Sequence, residues 1–254
     1  MPQASFQTGC RSCLLRGCGL CRTLSDAELS SMGVSGRAVS AGQDLFSQGE
    51  PRGEVFNILA GWVILYELLD DGRRQILQFG LPGDIVGFGI DGRASFFGAE
   101  ALNRVEVCAI PRGRLLDLAR QRPGLAFDLV RRFVSEESQA YERLTALGRK
   151  TALERVAALL LELFYRIRRR APQTAGEILR IPLTQMHIAD ALGLTPVHTN
   201  RTLGSLRQQG VIAYGNGLFH ILSPDRLFEI ARIDERTCPW PCGSGEGAPR
   251  PMTH

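Results

Sequence analysis

The sequence predicts an α+β chain in three parts: an N-terminal β jelly roll, a long helix, and a C-terminal winged helix-turn-helix. Three observations predict it. Between about residues 34 and 111, short apolar runs ("EVFNILAG", "WVILYELL", "RQILQFGL", "VEVCAI") alternate with Gly, Pro and Asp turns, the spacing of a small antiparallel barrel or jelly roll. Past Pro123, Leu125, Leu129, Phe133, Ala140, Leu144 and Leu147 fall near one helical stripe. From residue 184 on, two short capped segments precede two apolar runs around Gly215-Asn216-Gly217, a helix pair followed by a hairpin.

With 254 residues, a net charge of +4 and 44% apolar content, the chain has the size and balance of a globular two-domain protein. No stretch approaches the roughly 18 to 20 apolar residues of a membrane span, and "MPQASFQTGC" lacks a basic start with an apolar run. A cytoplasmic location without a membrane partner is therefore expected. Residues 151–210 hold eight arginines against four acidic residues, including Arg168, Arg169 and Arg170, a bias that suits an anionic partner. An enzyme is disfavoured: the four histidines are scattered, and no nucleophile motif or phosphate loop is present.

Along the chain, Ser25 with Glu28 three residues on predicts a capped short helix. Ahead of it stands "GCRSCLLRGCGLC", with Cys10, Cys13, Cys18 and Cys21 in the spacing C-x2-C-x4-C-x2-C. Cytosolic thiols are kept reduced, so such a cluster points to metal or redox chemistry rather than a disulfide scaffold. Zinc held by the four local cysteines, direct thiol redox sensing and an iron-sulfur cluster all remain open at this point, and the four-residue loop between the CxxC pairs is short for a zinc ribbon. Cys238 and Cys242 lie in a Pro- and Gly-rich tail and receive no role.

The helix after Pro123 spans roughly 37 Å for about 25 residues, too long to bury its stripe on a small barrel. A dimer seam through Leu125, Leu129, Phe133, Ala140 and Leu144 is expected, with a break near Gly148. Beyond it, Leu153, Val156, Leu160, Phe164 and Ile167 form a core stripe.

In "LTQMHIADALGLTPVHTNRTLGSLRQQGVI", Thr184 caps one helix, Gly193 makes the turn, and Thr195 with Pro196 opens a second. Ile188, Leu192, Leu194, Leu203 and Leu206 are its expected core, with Thr199 a core position. If so, the second helix is expected to enter a DNA major groove, with Val197, His198, Asn200 and Arg201 the candidate base contacts, of which Arg201 can address guanine with two bonds. Thr184, Gln185, Thr202 and Arg207 are the candidate phosphate contacts.

Taken with "LPGDIVGF" and "VEVCAIPRGRLLDL", these segments resemble the Crp/Fnr family of bacterial transcription regulators across about residues 20 to 230. The resemblance implies a cyclic-nucleotide-binding-like jelly roll, a dimerising helix, a winged helix-turn-helix, a palindromic double-stranded operator and RNA polymerase as a partner. Arg93 is followed by Ala94 and Ser95, yet no glutamate matches the nucleotide-phosphate signature in the "GDIVGF" turn. The stretch is instead similar to the oxygen-responsive fumarate and nitrate reduction branch. That likeness implies a [4Fe-4S] cluster on Cys10, Cys13, Cys21 and Cys108, with Cys18 as the alternate third N-terminal ligand. That branch commonly presents Glu, Ser and Arg on its reading helix, where Val197, Asn200 and Arg201 stand here, so a different half-site is expected. The alternative is a regulator of the same type that responds to a small-molecule ligand or to thiol oxidation, its cysteines binding zinc or acting as redox thiols. The expected divisions are 1–23 cysteine-rich segment, 24–122 sensor, 123–148 dimerisation helix, 149–230 DNA-binding domain and 231–254 tail.

Overall fold

The computed structural model describes residues 13, 19–88, 94–170, 178–179, 181–215, 218–234 and 238. A short 3-10 turn (Gly19–Thr23) leads to α1 (Asp26–Ser31). The Ser25 hydroxyl accepts from the Glu28 N–H while the Glu28 carboxylate accepts from the Ser25 N–H at 2.7 Å, the reciprocal cap that the sequence predicts.

Eight strands follow: β1 (Ser35–Val39), β2 (Asp44–Phe46), β3 (Glu54–Ala60), β4 (Val63–Leu68), β5 (Arg74–Gly80), β6 (Ile85–Val86), β7 (Gly98–Ala101) and β8 (Val105–Pro111). They form two antiparallel sheets in the orders β1-β8-β3-β6 and β2-β7-β4-β5. Period-two alternation sorts the faces. In β8, Val105, Val107 and Ala109 are wholly buried between the sheets, packed with Phe56, Ile58, Val63 and Leu65. Gly61, at φ 84°, makes the β3–β4 turn where a Cβ would lie 2.4 Å from the Arg104 carbonyl oxygen, so no larger residue fits.

The outer face of each sheet is covered by a different part of the chain. Over β1-β8-β3-β6 lie Leu20, Cys21, Leu24, Leu29 and Met32, together with Leu115 of α2 (Arg112–Gln121) and Leu125 and Leu129 of α3 (Pro123–Arg149). Over the other sheet, Trp62, Ile64, Ile76, Phe79 and Leu81 merge into one core with α4 (Ala152–Arg170) and the C-terminal elements. Flanked on both sides, α4 buries Val156 to Leu161, Leu163 and Phe164, as a helix apolar nearly all round must.

One sequence expectation is corrected here. Leu125 and Leu129 are 2% and 6% exposed, consumed by their own chain's core rather than left for a seam. The break expected near Gly148 comes one residue later: helix α3 ends at Arg149, and its cap Lys150 has an extended ψ of 148°. The stop is set by Thr151 and Glu154: the Thr151 N–H donates to the Glu154 carboxylate at 2.7 Å and the Glu154 N–H to the Thr151 hydroxyl at 3.4 Å. This T-x-x-E pair starts a new helix and so ends the old one.

The joint between the barrel and the helices is ionic. Arg166 donates to Asp84 at 2.8 Å, to the Phe79 carbonyl at 2.7 Å and to Glu162 at 2.9 Å. Arg143 reaches Glu162 at 2.8 Å and the Leu77 carbonyl at 3.4 Å. Strand β5 is a sheet edge, and these arginines satisfy edge carbonyls that would otherwise be orphaned.

The C-terminal part comprises β9 (Ile178–Leu179), α5 (Gln185–Leu192), α6 (Pro196–Gln208), β10 (Ile212–Gly215), β11 (Leu218–Ile221) and α7 (Pro224–Ala231), its strands ordered β10-β11-β9. Among the described residues no helix is long and apolar enough to cross a membrane.

Candidate functional site

Helices α5 and α6 cross at Gly193, whose φ of 61° closes α5 in the left-handed conformation. Thr184 caps α5 by accepting from the His187 N–H at 3.2 Å, and the His187 ring Nδ1 accepts from the Thr184 N–H at 3.2 Å. Burial, then the nearby Arg74 guanidinium, lowers the His187 pKa, which keeps the ring neutral and able to accept. Thr195 caps α6, with Pro196 at its first position. Ile188, Ala189, Leu192, Leu203 and Leu206 are buried between the two helices, as is Thr199, while Leu194 packs against that core.

The core placement leaves one face of α6 outward. Val197, His198, Asn200 and Arg201 are all exposed, Val197 to 64%, and their spacing puts them on one side of the helix's first turns. No acidic residue occurs in α6. Arg207 is exposed further along, Thr184 is exposed, and Gln185 is half-buried. Thr202 is the exception among the expected phosphate contacts: it is 6% exposed and its hydroxyl donates back to the His198 carbonyl at 2.9 Å. A buried, satisfied hydroxyl has no donor to offer a phosphate, so Thr202 is a packing residue. The β10–β11 hairpin stands beside α6 as the wing, its tip residues 216–217 lying outside the described residues. The unit is tied to the barrel by Arg74, which bridges Glu100 at 3.0 Å and Asp190 at 3.1 Å, and by Gln75, which donates to the Ala191 carbonyl at 3.1 Å.

On α3 the outward stripe differs from the expected one. Phe133 is 39% exposed and packs edge-on against Phe88, while Ala140 and Leu144 are exposed. The large apolar side chains most open to solvent are Phe127, Val130, Val134, Tyr141 and Leu144, each between 54% and 68% exposed. Their steps of 3, 4, 7 and 3 follow a heptad; Leu144 is shared with the expected seam, and it is Leu125 and Leu129 of that seam that turn inward. A contiguous stripe of this kind marks an interaction surface.

Of the cysteines, Cys13, Cys21, Cys108 and Cys238 lie among the described residues, and the first three are not joined in disulfides; Cys10 and Cys18 lie outside them. Cys21 is buried in the layer over β1-β8-β3-β6, and Cys108, half-buried on β8, packs against the same layer. Residues distant in sequence are thus brought to one face. Among the described residues, no three His, Cys, Asp or Glu side chains gather as a metal site. One feature fits a thiolate-ligated group at Cys108: Asn57, its cross-strand partner, is 1% exposed with a carboxamide Oδ1 that has no hydrogen-bond partner. Sequence reading missed Asn57, although a lone Asn inside the apolar run "EVFNILAG" was visible.

Comparison with known proteins agrees with this architecture. The cyclic nucleotide-binding domain family matches residues 36–122, and the Crp-like helix-turn-helix domain family matches residues 154–230. The nitrogen fixation regulation protein FixK of Bradyrhizobium diazoefficiens is 37% identical over 224 residues, 87% of this chain and 93% of the relative. The transcriptional activator protein anr of Pseudomonas aeruginosa is 32% identical over 235 residues, 91% of this chain and 94% of the relative. The solved structure of FixK2 from Bradyrhizobium japonicum superposes with a TM-score of 0.70 at 31% identity, covering 78% of this chain and 96% of that one. The chain therefore belongs to the Crp/Fnr family of DNA-binding transcription regulators.

Proposed function

We propose that this regulator responds to oxygen or redox state through a [4Fe-4S] cluster held by Cys10, Cys13, Cys21 and Cys108, with Cys18 as the alternate to Cys21. We further propose that it binds a two-fold symmetric operator as a homodimer, in contact with RNA polymerase. The observation that carries the reading is the convergence of Cys21 and Cys108 on one apolar layer that also holds the first turns of α3.

Bound there, the cluster supplies a redox-sensitive tie between the N-terminal segment and strand β8. The chain's own residues carry the consequence onward. Leu20, Cys21 and Leu24 pack with Leu125 and Leu129 on the inner side of α3, and Arg122 just ahead of that helix pairs with Glu28. The opposite side of the same turns carries Phe127, Val130 and Val134. Ordering the N-terminal segment therefore sets the position of the stripe that meets a second copy. Two copies joined along α3 present two α6 helices, and half-sites about one helical turn apart follow from that symmetry. Conversely, loss of the tie favours the monomer, a shift of population set by the cluster's preference for the ordered state.

The test is anaerobic purification with iron and sulfide analysis, a visible spectrum before and after air, and sedimentation and operator binding in both states. Four irons and four sulfides per chain, lost in air together with the dimer and in the Cys108→Ser variant, are expected. A colourless protein with one tightly held zinc overturns the reading in favour of the zinc-binding alternative.

A further inference from the structure

A single register row crosses all four strands of the outer sheet: Gly36 on β1, Cys108 on β8, Asn57 on β3 and Ile85 on β6. Side chains in one row project from the same face. Val55 and Ile110, the pair two positions along on that face, are buried in the layer that contains Cys21. Cys108 therefore has two lateral neighbours: a glycine, which has no side chain to obstruct it, and a buried asparagine.

That asparagine has no evident structural reason to be polar. Asn57 is 1% exposed, and its Oδ1 is buried without a hydrogen-bond partner. The cost of such an orphaned amide is about 1–3 kcal/mol, whereas its strand neighbours Val55, Phe56 and Ile58 are all apolar. Leucine has nearly the same shape and would remove the cost. Which end of the amide carries oxygen and which nitrogen is interchangeable by a half-turn of the terminal bond, so the group can present either end to its row.

We infer that Asn57 is a positioning residue for the Cys108 thiolate, turning its carboxamide N–H toward the sulfur when Cys108 is a ligand. The inference rests on the iron-sulfur reading above and names a role that reading does not contain. A cysteine sulfur accepts hydrogen bonds weakly as a thiol and well as a thiolate, so the amide gains a strong partner only in the ligated state. Donors aimed at ligand sulfurs stabilise the more electron-rich oxidation state and shape the potential. Without Asn57 the site gives up an electron to oxidants more readily.

The test compares the wild type with Asn57→Leu, both purified and loaded anaerobically, by redox titration, resonance Raman spectra of the iron–cysteine stretches, and the rate of bleaching in air. Metal-free samples of both are melted in parallel. The variant is expected to show a lower potential, a shifted iron–cysteine band and bleaching about tenfold faster, the scale of losing one hydrogen bond to a charged acceptor. Its metal-free form is expected to melt at or above the wild-type temperature, since an orphaned polar group has been removed. A loaded variant with unchanged potential, Raman band and bleaching rate overturns the role of Asn57 and leaves the iron-sulfur reading standing. A wild type that takes up no iron and sulfide overturns both. A metal-free variant that melts lower, with the loaded properties unchanged, assigns Asn57 to packing alone and likewise overturns the inference.

Discussion

Arg166 of α4 and Asp84 of the β5–β6 turn meet at 2.8 Å inside the protein, their side chains 8% and 11% exposed. The pair joins the barrel to the helix that carries the DNA-binding elements, and Glu162 completes it from one turn away on α4. Burial alone pushes the Glu162 carboxyl up, yet the Arg143 and Arg166 guanidiniums together hold it below the usual carboxylate range. Each charge is needed by the others, which makes the group costly to break and specific in geometry.

Arg166→Met leaves Asp84 and Glu162 buried with one fewer countercharge. A loss of about 3–5 kcal/mol is expected in urea unfolding. The triple variant Arg166→Met, Asp84→Asn, Glu162→Gln is expected to recover part of that loss. A single variant as stable as wild type would show that the cluster contributes nothing to the joint.

Glu136 faces this group from α3. Burial, and next the Asp84 carboxylate, raise its pKa from 4.5 to about 7, against the opposing pull of Arg132, Arg166 and Arg143. A raised carboxyl pKa means that the folded protein holds a proton the unfolded chain has released. Stability therefore falls as pH rises from about 4.5 to 7, and the penalty is full above that window. Glu136→Gln is expected to be more stable than wild type at pH 8 by about 1–2 kcal/mol, discounted for partial exposure, and equal to it at pH 4.5. Parallel melting curves at the two pH values measure the difference.

Val134 sits in the middle of the exposed heptad stripe on α3. Val134→Glu places a buried charge in any seam made by two copies of that stripe. Sedimentation is expected to find monomer at concentrations where wild type is dimeric, with operator affinity falling by at least tenfold and the melting temperature of the monomer unchanged. Leu129→Glu, by contrast, is expected to unfold the chain, because Leu129 lies in its own core.

Arg201 and Arg207 are both exposed on α6, and the proposed base and phosphate contacts separate them. Arg201→Ala is expected to cost about 1–3 kcal/mol on the preferred operator and to relax selectivity at one base position. Arg207→Ala should weaken all DNA about equally and reduce the salt slope by about one. Titrations on matched and scrambled duplexes at several salt concentrations separate the two outcomes.

Local chemistry made much of this protein legible in one dimension. Ser25 with Glu28, Thr184, Gly193, and Thr195 with Pro196 each announce a helix boundary through groups only a few residues apart, so the capped ends and the reading helix were visible before any folding. Thr202 was misread because a helix surface residue and a helix residue whose hydroxyl turns back onto its own carbonyl look alike in sequence. The first two members of the expected α3 seam face inward for a related reason. Leu125 and Leu129 are as apolar as Phe127 and Val130, and periodicity alone does not say which of two adjacent stripes meets the chain's own core.

What the sequence determined by itself was the order of parts: jelly roll, long helix and winged helix-turn-helix, each specified by short-range periods and caps. What only the tertiary structure decided was which distant side chains share a face. The alternation of β8 and the register of β3 against it place Asn57 beside Cys108, and the packing of the N-terminal turn brings Cys21 to the same layer. Asp84, Arg143, Glu162 and Arg166 become one group only when a sheet edge and two helices close around them. Sheet register and helix packing are settled by burial across the whole chain, and no local window of sequence contains that information.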